Sequence, residues 1–374
     1  MRFERVAFFY LGISKYFWVQ RKNNMENFIN HLEINNFKSI RHLELSGFNK
    51  INLFIGRPNV GKSNLLEALS LFSLPFLNVN SGSLSLKKIS SLIRVEDEIE
   101  LFYQGDFHKD ISIIINDKKC KIAFNNNTTI GLEVINKGIK TIIDDKGFYL
   151  EFSFLPLKSG RKMIDLGRIM IDPFRNHRPQ IKRYIFSQNF KLKKDKNNFL
   201  SPPFGSNLIQ TLDFLPQLKS TFAEWFREYG LKLVTDKVSQ SLKILREISD
   251  NEVFIVPYNS IADTLQRIIF YKTAIASNQN SVLVFEEPEA HAYPPYISEF
   301  TQEVINSETN QFFVATHSPI IVNDFLENAR EDLAIFMVDF KDGQTVVKPL
   351  SKGEIYEVYK YGVDLFFNNE AYLA

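Results

Sequence analysis

The sequence GRPNVGKS at residues 56–63 decides the fold, because it matches the phosphate-binding pattern GxxxxGKS. A short apolar run at 50–55 precedes it and predicts a strand, while the apolar spacing at 64–72 predicts a helix. A glycine loop in this context lets backbone N–H groups surround phosphate, with Lys62 on the β- and γ-phosphates and Ser63 on Mg²⁺. We therefore predict a site for a nucleoside triphosphate and Mg²⁺. The predicted nucleotide-binding residues are Gly56, Arg57, Pro58, Asn59, Val60, Gly61, Lys62, Ser63 and Asn64.

The same loop closely resembles the first motif of Era- and Der-type GTPases, so GTP is the alternative nucleotide. Those enzymes also need an NKxD motif that reads the guanine base. Residues 136–139 of this chain read NKGI and lack the aspartate, and a DxxG match at 144–147 is distant from the loop. The sequence therefore favours ATP as the nucleotide.

Two acidic residues follow a second apolar run. The run VLVF at 282–285 is typical of a strand buried on both faces, and Glu286 and Glu287 come directly after it. At a strand end, Glu286 would hold the hydrated Mg²⁺ together with Ser63, and Glu287 would polarise the attacking water. The alternative is a buried strand that ends in two solvated acids. The residues that follow complete the sequence EEPEAH at 286–291 and favour the catalytic interpretation.

A histidine follows the next predicted strand. The apolar residues 312–315 predict a buried strand, and THSP follows at 316–319. His317 in this position would hydrogen-bond the γ-phosphate and the attacking water. A lone loop histidine is more often structural, but its place after EEPEAH favours a role in the reaction. We therefore predict Glu287 and His317 as the catalytic residues.

Four motifs together carry a family resemblance: LEINNFKSI at 32–40, the GxxxxGKSN loop, EEPEAH and THSP. In this combination the chain resembles the ABC-type ATPases of the OLD, RecF and SMC group, over roughly residues 28–75 and 255–325. The resemblance implies an α/β fold with an ABC-type P-loop NTPase head. It also implies a homodimer or higher homo-oligomer, in which ATP is sandwiched between the Walker A loop of one subunit and a signature loop of another.

The expected signature loop is irregular in this chain. It falls at residues 259–267, where Ala262 and Asp263 stand in place of the usual serine and glycine. Ser260, Asp263 and Thr264 are the candidates to cap a helix and present its N-terminus to phosphate in trans, and an ordinary helix cap is the alternative. The resemblance also implies a Q-loop, for which Gln104 is the candidate.

The chain divides into four predicted regions. Residues 1–27 are an N-terminal extension, and 28–157 form an ATPase lobe with the Walker A loop and an antiparallel β subdomain. Residues 158–250 form a basic, largely helical insertion, with helical spacing from 208 to 248. Residues 251–374 complete the ATPase lobe with the signature-like region, Walker B strand, His317 loop and C-terminal tail.

Charge and composition restrict the partners and the location. The net charge of the chain is +2, but residues 158–196 carry twelve Lys or Arg against three Asp, which indicates either a nucleic-acid surface or a solvated basic face. One cysteine, Cys120, and no apolar run of about 20 residues predict a cytoplasmic protein without a membrane span. Translation from Met25 instead of Met1 is an alternative start.

Two functions remain open from the sequence. About fifty residues follow Ser318, too few for the Toprim nuclease domain of OLD proteins, so we expect a separate effector protein. The first hypothesis is an ATPase that senses phage and regulates such an effector in an anti-phage defence system. The second is a RecF-like DNA-binding ATPase in DNA repair or maintenance.

Overall fold

A computed structural model describes most of the chain. The described residues are 28–76, 89–124, 133–135, 138–142, 148–154, 180–188, 192–193, 195, 197–239 and 241–373. Three regions named in the sequence analysis lie outside them: the N-terminal extension, most of the basic segment 158–196, and the residues 136–137 and 144–147 of the two partial GTPase motifs.

The described elements include both strands and α-helices. The strands are β1 (His31–Phe37), β2 (Ile40–Ser46), β3 (Ile51–Ile55), β4 (Ile111–Ile115), β5 (Lys118–Phe124), β6 (Glu133–Ile135), β7 (Gly138–Ile142), β8 (Phe148–Phe154), β9 (Ile181–Tyr184), β10 (Lys232–Asp236), β11 (Ser241–Ser249), β12 (Glu252–Pro257), β13 (Val282–Glu286), β14 (Gln311–Ala315), β15 (Leu333–Lys341) and β16 (Gln344–Pro349). The α-helices are α1 (Lys62–Ser70), α2 (Leu208–Asp213), α3 (Pro216–Arg227), α4 (Asp263–Ala276), α5 (Pro294–Asn306), α6 (Pro319–Asn328), α7 (Lys352–Tyr361) and α8 (Asn369–Leu373).

The three motifs follow strands of one six-stranded sheet. Its order is β16-β15-β3-β14-β13-β9, with β16 antiparallel and the other neighbours parallel. The loop at 56–63 follows β3, EEPEAH begins at the end of β13, and THSP follows β14. Since β14 lies between β3 and β13, the three motifs meet at the carboxyl edge of adjacent parallel strands, where open α/β sheets bind ligands.

Both faces of this sheet are covered. One face packs with α1 and with a seven-stranded antiparallel sheet of order β2-β1-β4-β5-β8-β7-β6, and Val284 and Phe313 lie in that core. The other face packs with α4, α5, α6 and α7, through residues such as Phe285 and Phe312. This arrangement confirms the predicted α/β head with an antiparallel β subdomain, and every residue of β3 and β14 is buried.

The predicted helical insertion is only partly helical. Residues 208–213 and 216–227 form α2 and α3, but the expectation of helix up to residue 248 is wrong, because β10, β11 and β12 form a three-stranded antiparallel sheet. The chain leaves α3 through Gly230, whose φ of 68° suits a glycine. Buried Leu242 and Ile244 then alternate with partly buried neighbours, the two-residue period of a strand, and this outweighs helical spacing.

Two further features of the structure concern Cys120 and membranes. Cys120 is fully buried on β5, and burial raises the pKa of its thiol well above the usual range, which fits a packing role. Among the described residues, none of the helices is both long enough and apolar enough to cross a bilayer.

Candidate nucleotide-binding and hydrolysis site

The glycine loop is shaped by its contact with the neighbouring β15–β16 pair. A Cβ at Gly56 would lie 2.1 Å from the carbonyl oxygen of Val338, and one at Gly61 would lie 2.0 Å from Thr345 Oγ1. Gly61 also has a φ of 101°, which disfavours any side chain. Thr345 Oγ1 in turn hydrogen-bonds the carbonyl oxygen of Val60 at 2.9 Å. The two glycines are therefore required by the packing as well as by the phosphate-binding pattern.

Lys62 lies inside this loop. Its Nζ donates hydrogen bonds to the carbonyl oxygens of Gly56, at 2.8 Å, and Arg57, at 2.7 Å. Burial lowers the pKa of Lys62 to about 8, and the charges of Glu287, Glu286 and Glu289 oppose this shift. The ammonium group is therefore held at the centre of the loop. Because its pKa of about 8 lies close to neutral pH, the amine is mostly protonated at pH 7 and loses its proton as the pH rises above 8.

Ser63 and Glu286, the two predicted metal ligands, are in direct contact. Ser63 Oγ donates a hydrogen bond of 2.5 Å to Glu286 Oε1. Two guanidinium groups also bind this carboxylate: Arg94 Nη2 lies 3.0 Å from Oε1, and Arg183 Nη2 lies 2.5 Å from Oε2. A hydroxyl and a carboxylate are the oxygen ligands that Mg²⁺ takes in proteins, so these residues fit that ion.

Glu287 and His317, the predicted catalytic pair, also lie side by side. His317 Nε2 is 3.6 Å from Glu287 Oε1, and the side chains are 34% and 49% exposed. Glu287 has a φ of 44°, and its N–H donates to the carbonyl oxygen of Ala315 at the end of β14. Burial and the charge of Lys62 lower the pKa of His317, so its imidazole is neutral near pH 7. The pair is therefore open to water beside the Lys62 loop.

Sequence reasoning gave no role to Glu289, which the structure places under His317. Glu289 Oε1 accepts hydrogen bonds of 2.7 Å from Thr316 Oγ1 and from the His317 N–H. Burial raises the pKa of Glu289, and those hydrogen bonds oppose the shift. This carboxyl group connects the EEPEAH loop to the THSP loop by hydrogen bonds. The sequence feature that could have predicted this role is the third acidic residue of EEPEAH, which is Glu289.

Lys38, in the turn between β1 and β2, holds the backbone at Arg94, and sequence reasoning also missed this role. Lys38 Nζ binds Glu67 Oε2 at 2.5 Å and the Arg94 carbonyl oxygen at 2.6 Å. Glu67 Oε1 accepts from the Arg94 N–H at 3.0 Å. Lys38 belongs to the quoted LEINNFKSI motif, but no motif surrounds Arg94, so only folding reveals its contact with Glu286.

The signature candidates lie at the start of α4, but the prediction that one of them caps this helix is wrong, because the N-cap residue is Ala262, which has no side-chain hydrogen-bonding group. Asp263 accepts hydrogen bonds from Arg267 Nε and Gln188 Nε2, both at 2.7 Å, and Thr264 Oγ1 donates to the His291 carbonyl oxygen at 2.7 Å. Ser260 is exposed in the short turn before α4. Their action on a nucleotide in trans stays a prediction.

Gln104, the Q-loop candidate, lies beside the β15–β16 turn. Its Nε2 donates to Tyr103 Oη at 3.2 Å, and Tyr103 Oη donates to the Gly343 carbonyl oxygen at 3.1 Å. Within the described part of the chain, no hydrogen bond joins Gln104 to Ser63 or Glu286. Its role in the Q-loop also stays a prediction.

Comparisons with known proteins give related results. A family model described as "AAA domain, putative AbiEii toxin, Type IV TA system" matches residues 171–323. The "DNA replication and repair protein RecF" of Caldanaerobacter subterraneus subsp. tengcongensis is 25% identical over 62% of this chain and 62% of its own length. The "ATP/GTP phosphatase" of Helicobacter pylori is 29% identical over 36% of this chain and 34% of its own length. The chain thus spans less than two thirds of these curated relatives.

A solved structure of an SMC head bound to the C-winged helix domain of ScpA aligns with a TM-score of 0.47 and 18% identity, covering 88% of this chain and 99% of that one. The fold and the site define the class of protein: an ABC-type P-loop ATPase head. Within that class, the sequence similarities are to a RecF protein, to an ATP/GTP phosphatase and, over residues 171–323, to the AAA-domain family model.

Proposed function

We propose that this protein binds and hydrolyses ATP in a magnesium-dependent reaction. The observation that supports this proposal is the hydrogen bond between Ser63 and Glu286, beside the Glu287–His317 pair. These four side chains come from three separate parts of the sequence and meet at one edge of the central sheet. That edge is also where Lys62 lies.

Each residue has a distinct role in the proposed reaction. Lys62 binds the β- and γ-phosphates, and Ser63 with Glu286 would hold Mg²⁺. When bound, Mg²⁺ neutralises charge that develops on the phosphates. Glu287 accepts a proton from the attacking water, and neutral His317 orients that water by a hydrogen bond.

The direct test is nucleotide turnover by the purified full chain, measured with ATP and with GTP in the presence of Mg²⁺ and again with EDTA. We expect ATP hydrolysis that EDTA removes, and weaker use of GTP because the NKxD aspartate is missing at 136–139. A strong preference for GTP would contradict the proposal, as would turnover that does not depend on a divalent ion.

We further propose that ATP binding assembles a homodimer or a higher homo-oligomer, with Ser260, Asp263 and Thr264 of one subunit near the nucleotide of another. The exposure of Ser260 in the turn before α4, with half-buried Asp263 and Thr264 directly after it, supports this arrangement. Light scattering with and without Mg-ATP tests it. A molar mass that ignores ATP, in a chain that hydrolyses ATP, contradicts the assembly but leaves the ATPase proposal standing.

The proposed biological role is a cytoplasmic sensor and regulator in anti-phage defence, acting with a separate effector protein. A toxin–antitoxin description in the matching family model supports this role. The alternative is a RecF-like ATPase that binds DNA, with the basic segment 158–196 as the candidate nucleic-acid surface, and the RecF relative favours it. DNA-stimulated turnover would favour the alternative. Co-purification with the product of a neighbouring gene, without any response to DNA, would favour defence.

A further inference from the structure

Arg183 has no role in the proposed reaction, yet it is the most buried cation that touches the site. Its side chain is 3% exposed and its Nη2 binds Glu286 Oε2. Nη1 donates to the Leu92 carbonyl oxygen at 2.6 Å and to Ser70 Oγ at 3.3 Å. Burying a guanidinium costs several kcal/mol unless its partners compensate. The fold therefore keeps this cation at a cost that the contact with Glu286 helps to offset.

The sheet register explains why Arg183 reaches Glu286. On the parallel pair β9 and β13, Arg183 lies opposite Val284, so the two side chains share one face of the sheet. Glu286 is two residues further along β13 and points to the same face, the one covered by α1. The contact is therefore fixed by two paired strands, β13 and the neighbouring edge strand β9, and does not depend on a loop.

The two oxygens of Glu286 are bound differently. Oε1 contacts Ser63 and the Arg94 side chain, which is 74% exposed, whereas Oε2 is bound by buried Arg183. Arg94 contacts the same oxygen as Ser63 and lies on the solvent side. Arg183 holds the opposite oxygen from beneath the site, so it leaves Oε1 facing Ser63.

We propose that Arg183 is a positioning residue that orients Glu286 so that Oε1 faces the metal side of the site. The inference rests on the proposed magnesium-dependent binding of ATP. P-loop NTPases typically hold Mg²⁺ with an aspartate after this strand, and a glutamate has one more rotatable bond to restrain. Arg183 supplies that restraint by binding Oε2. The guanidinium is itself fixed because its other terminal nitrogen, Nη1, donates hydrogen bonds to the Leu92 carbonyl oxygen and to Ser70 Oγ.

Lys182 provides a matched control. It is the preceding residue on the same strand and is equally buried, but it lies opposite Leu283, on the other face of the sheet. Its Nζ donates to Asn278 Oδ1 at 2.6 Å and to Ser281 Oγ at 3.0 Å. Loss of either cation removes a buried charge from β9, but only Arg183 contacts Glu286.

The experiment measures the ATP dissociation constant of the full chain by calorimetry, once with excess Mg²⁺ and once with EDTA. The ratio of the two constants is the gain in affinity from Mg²⁺. Arg183→Lys and Arg183→Met should reduce this gain by roughly 10–100-fold, the usual cost of losing a residue that orients a metal ligand. Affinity in EDTA should stay nearly unchanged, and Lys182→Met should keep the full Mg²⁺ gain even where its melting temperature falls.

A double-mutant cycle tests whether the effect passes through Glu286. Glu286→Asp shortens the side chain and breaks the contact with Arg183, so adding Arg183→Lys should cause little further loss of the Mg²⁺ gain. Should Arg183→Met fail to fold, Arg183→Lys carries the test. An unchanged gain in folded Arg183→Lys overturns the inference, as does an equal loss in Lys182→Met. A wild-type chain whose ATP affinity gains nothing from Mg²⁺ overturns the proposed function itself.

Discussion

Glu286 and Glu287 are adjacent in sequence but lie in opposite environments. Glu286 accepts hydrogen bonds from Ser63, Arg94 and Arg183, and its side chain is 11% exposed. Glu287 is 49% exposed, and the neutral imidazole of His317 lies 3.6 Å from its carboxylate. We call the first environment, with Lys62, Ser63 and Glu286, the loop side. The second, with Glu287 and His317, is the water side.

The difference follows from where each residue lies on the backbone. Glu286 is the last residue of β13, so the sheet fixes its direction toward α1, whereas Glu287 has left the strand with a φ of 44°. A metal ligand must be held in one orientation, while a general base must reach solvent water. The change of backbone conformation between Glu286 and Glu287 thus separates the proposed metal ligand from the proposed general base.

The largest expected effect is on the water side. Glu287→Gln keeps the size of the side chain but cannot accept a proton, so ATP turnover should fall by about 10²–10⁴-fold, the usual range for general-base loss. ATP affinity should change little, and ATP-bound assemblies should accumulate. Turnover and light scattering measure both effects. The control is Glu327→Gln, which changes an exposed acid on α6. Normal turnover in Glu287→Gln would remove the distinction between the two sides.

On the loop side, Lys62→Ala should weaken ATP binding rather than slow hydrolysis alone. It removes the buried cation of the loop, and loss of one partner of a buried charge pair costs about 2–5 kcal/mol, or roughly 30–5,000-fold in affinity. Calorimetry of ATP binding measures the loss, and the melting temperature reports folding. An affinity equal to that of the wild type would place the phosphates elsewhere.

A smaller effect is expected from His317→Ala. The mutation removes the neutral imidazole proposed to orient water, while Glu287 remains, so turnover should fall by up to about 100-fold, the cost of misplacing a reacting group. ATP affinity should stay within about threefold of the wild-type value, because the loop side is intact. His42→Ala serves as a control because it removes an exposed histidine on β2. A loss of affinity that matches the loss of turnover would assign His317 to the loop side instead.

The smallest effect concerns pH and the loop side. Burial lowers the pKa of Lys62 to about 8, and only the charged amine attracts phosphate. The ATP dissociation constant should therefore be nearly constant below pH 8 and rise above it, by up to about tenfold per pH unit. Calorimetry from about pH 7 to about pH 9.5 tests this. Lys62→Arg stays charged throughout, so its pH dependence should be flatter, and a flat wild-type profile would contradict the prediction.

Much of the architecture could be predicted because it rests on local patterns. The strand–loop–helix at 51–70 and the buried strands β13 and β14 follow from runs of apolar residues and from glycine spacing. Residues 232–248 misled the same reasoning, because a run of mixed apolar and charged residues fits both periods. Pairing with β12 decided in favour of strands there.

The sequence by itself determined which chemical groups the site contains: a lysine and a serine after a glycine loop, two acids after a strand, and a histidine after another. Each of these groups is marked by its immediate neighbours in the chain. Only the tertiary structure decided which groups touch. Arg183 reaches Glu286, which lies 103 residues later, because β9 and β13 pair in parallel with Arg183 opposite Val284. The pairing of strands that lie this far apart in the chain arises from packing over the whole domain, and the local patterns around β9 and β13 do not show that these two strands pair.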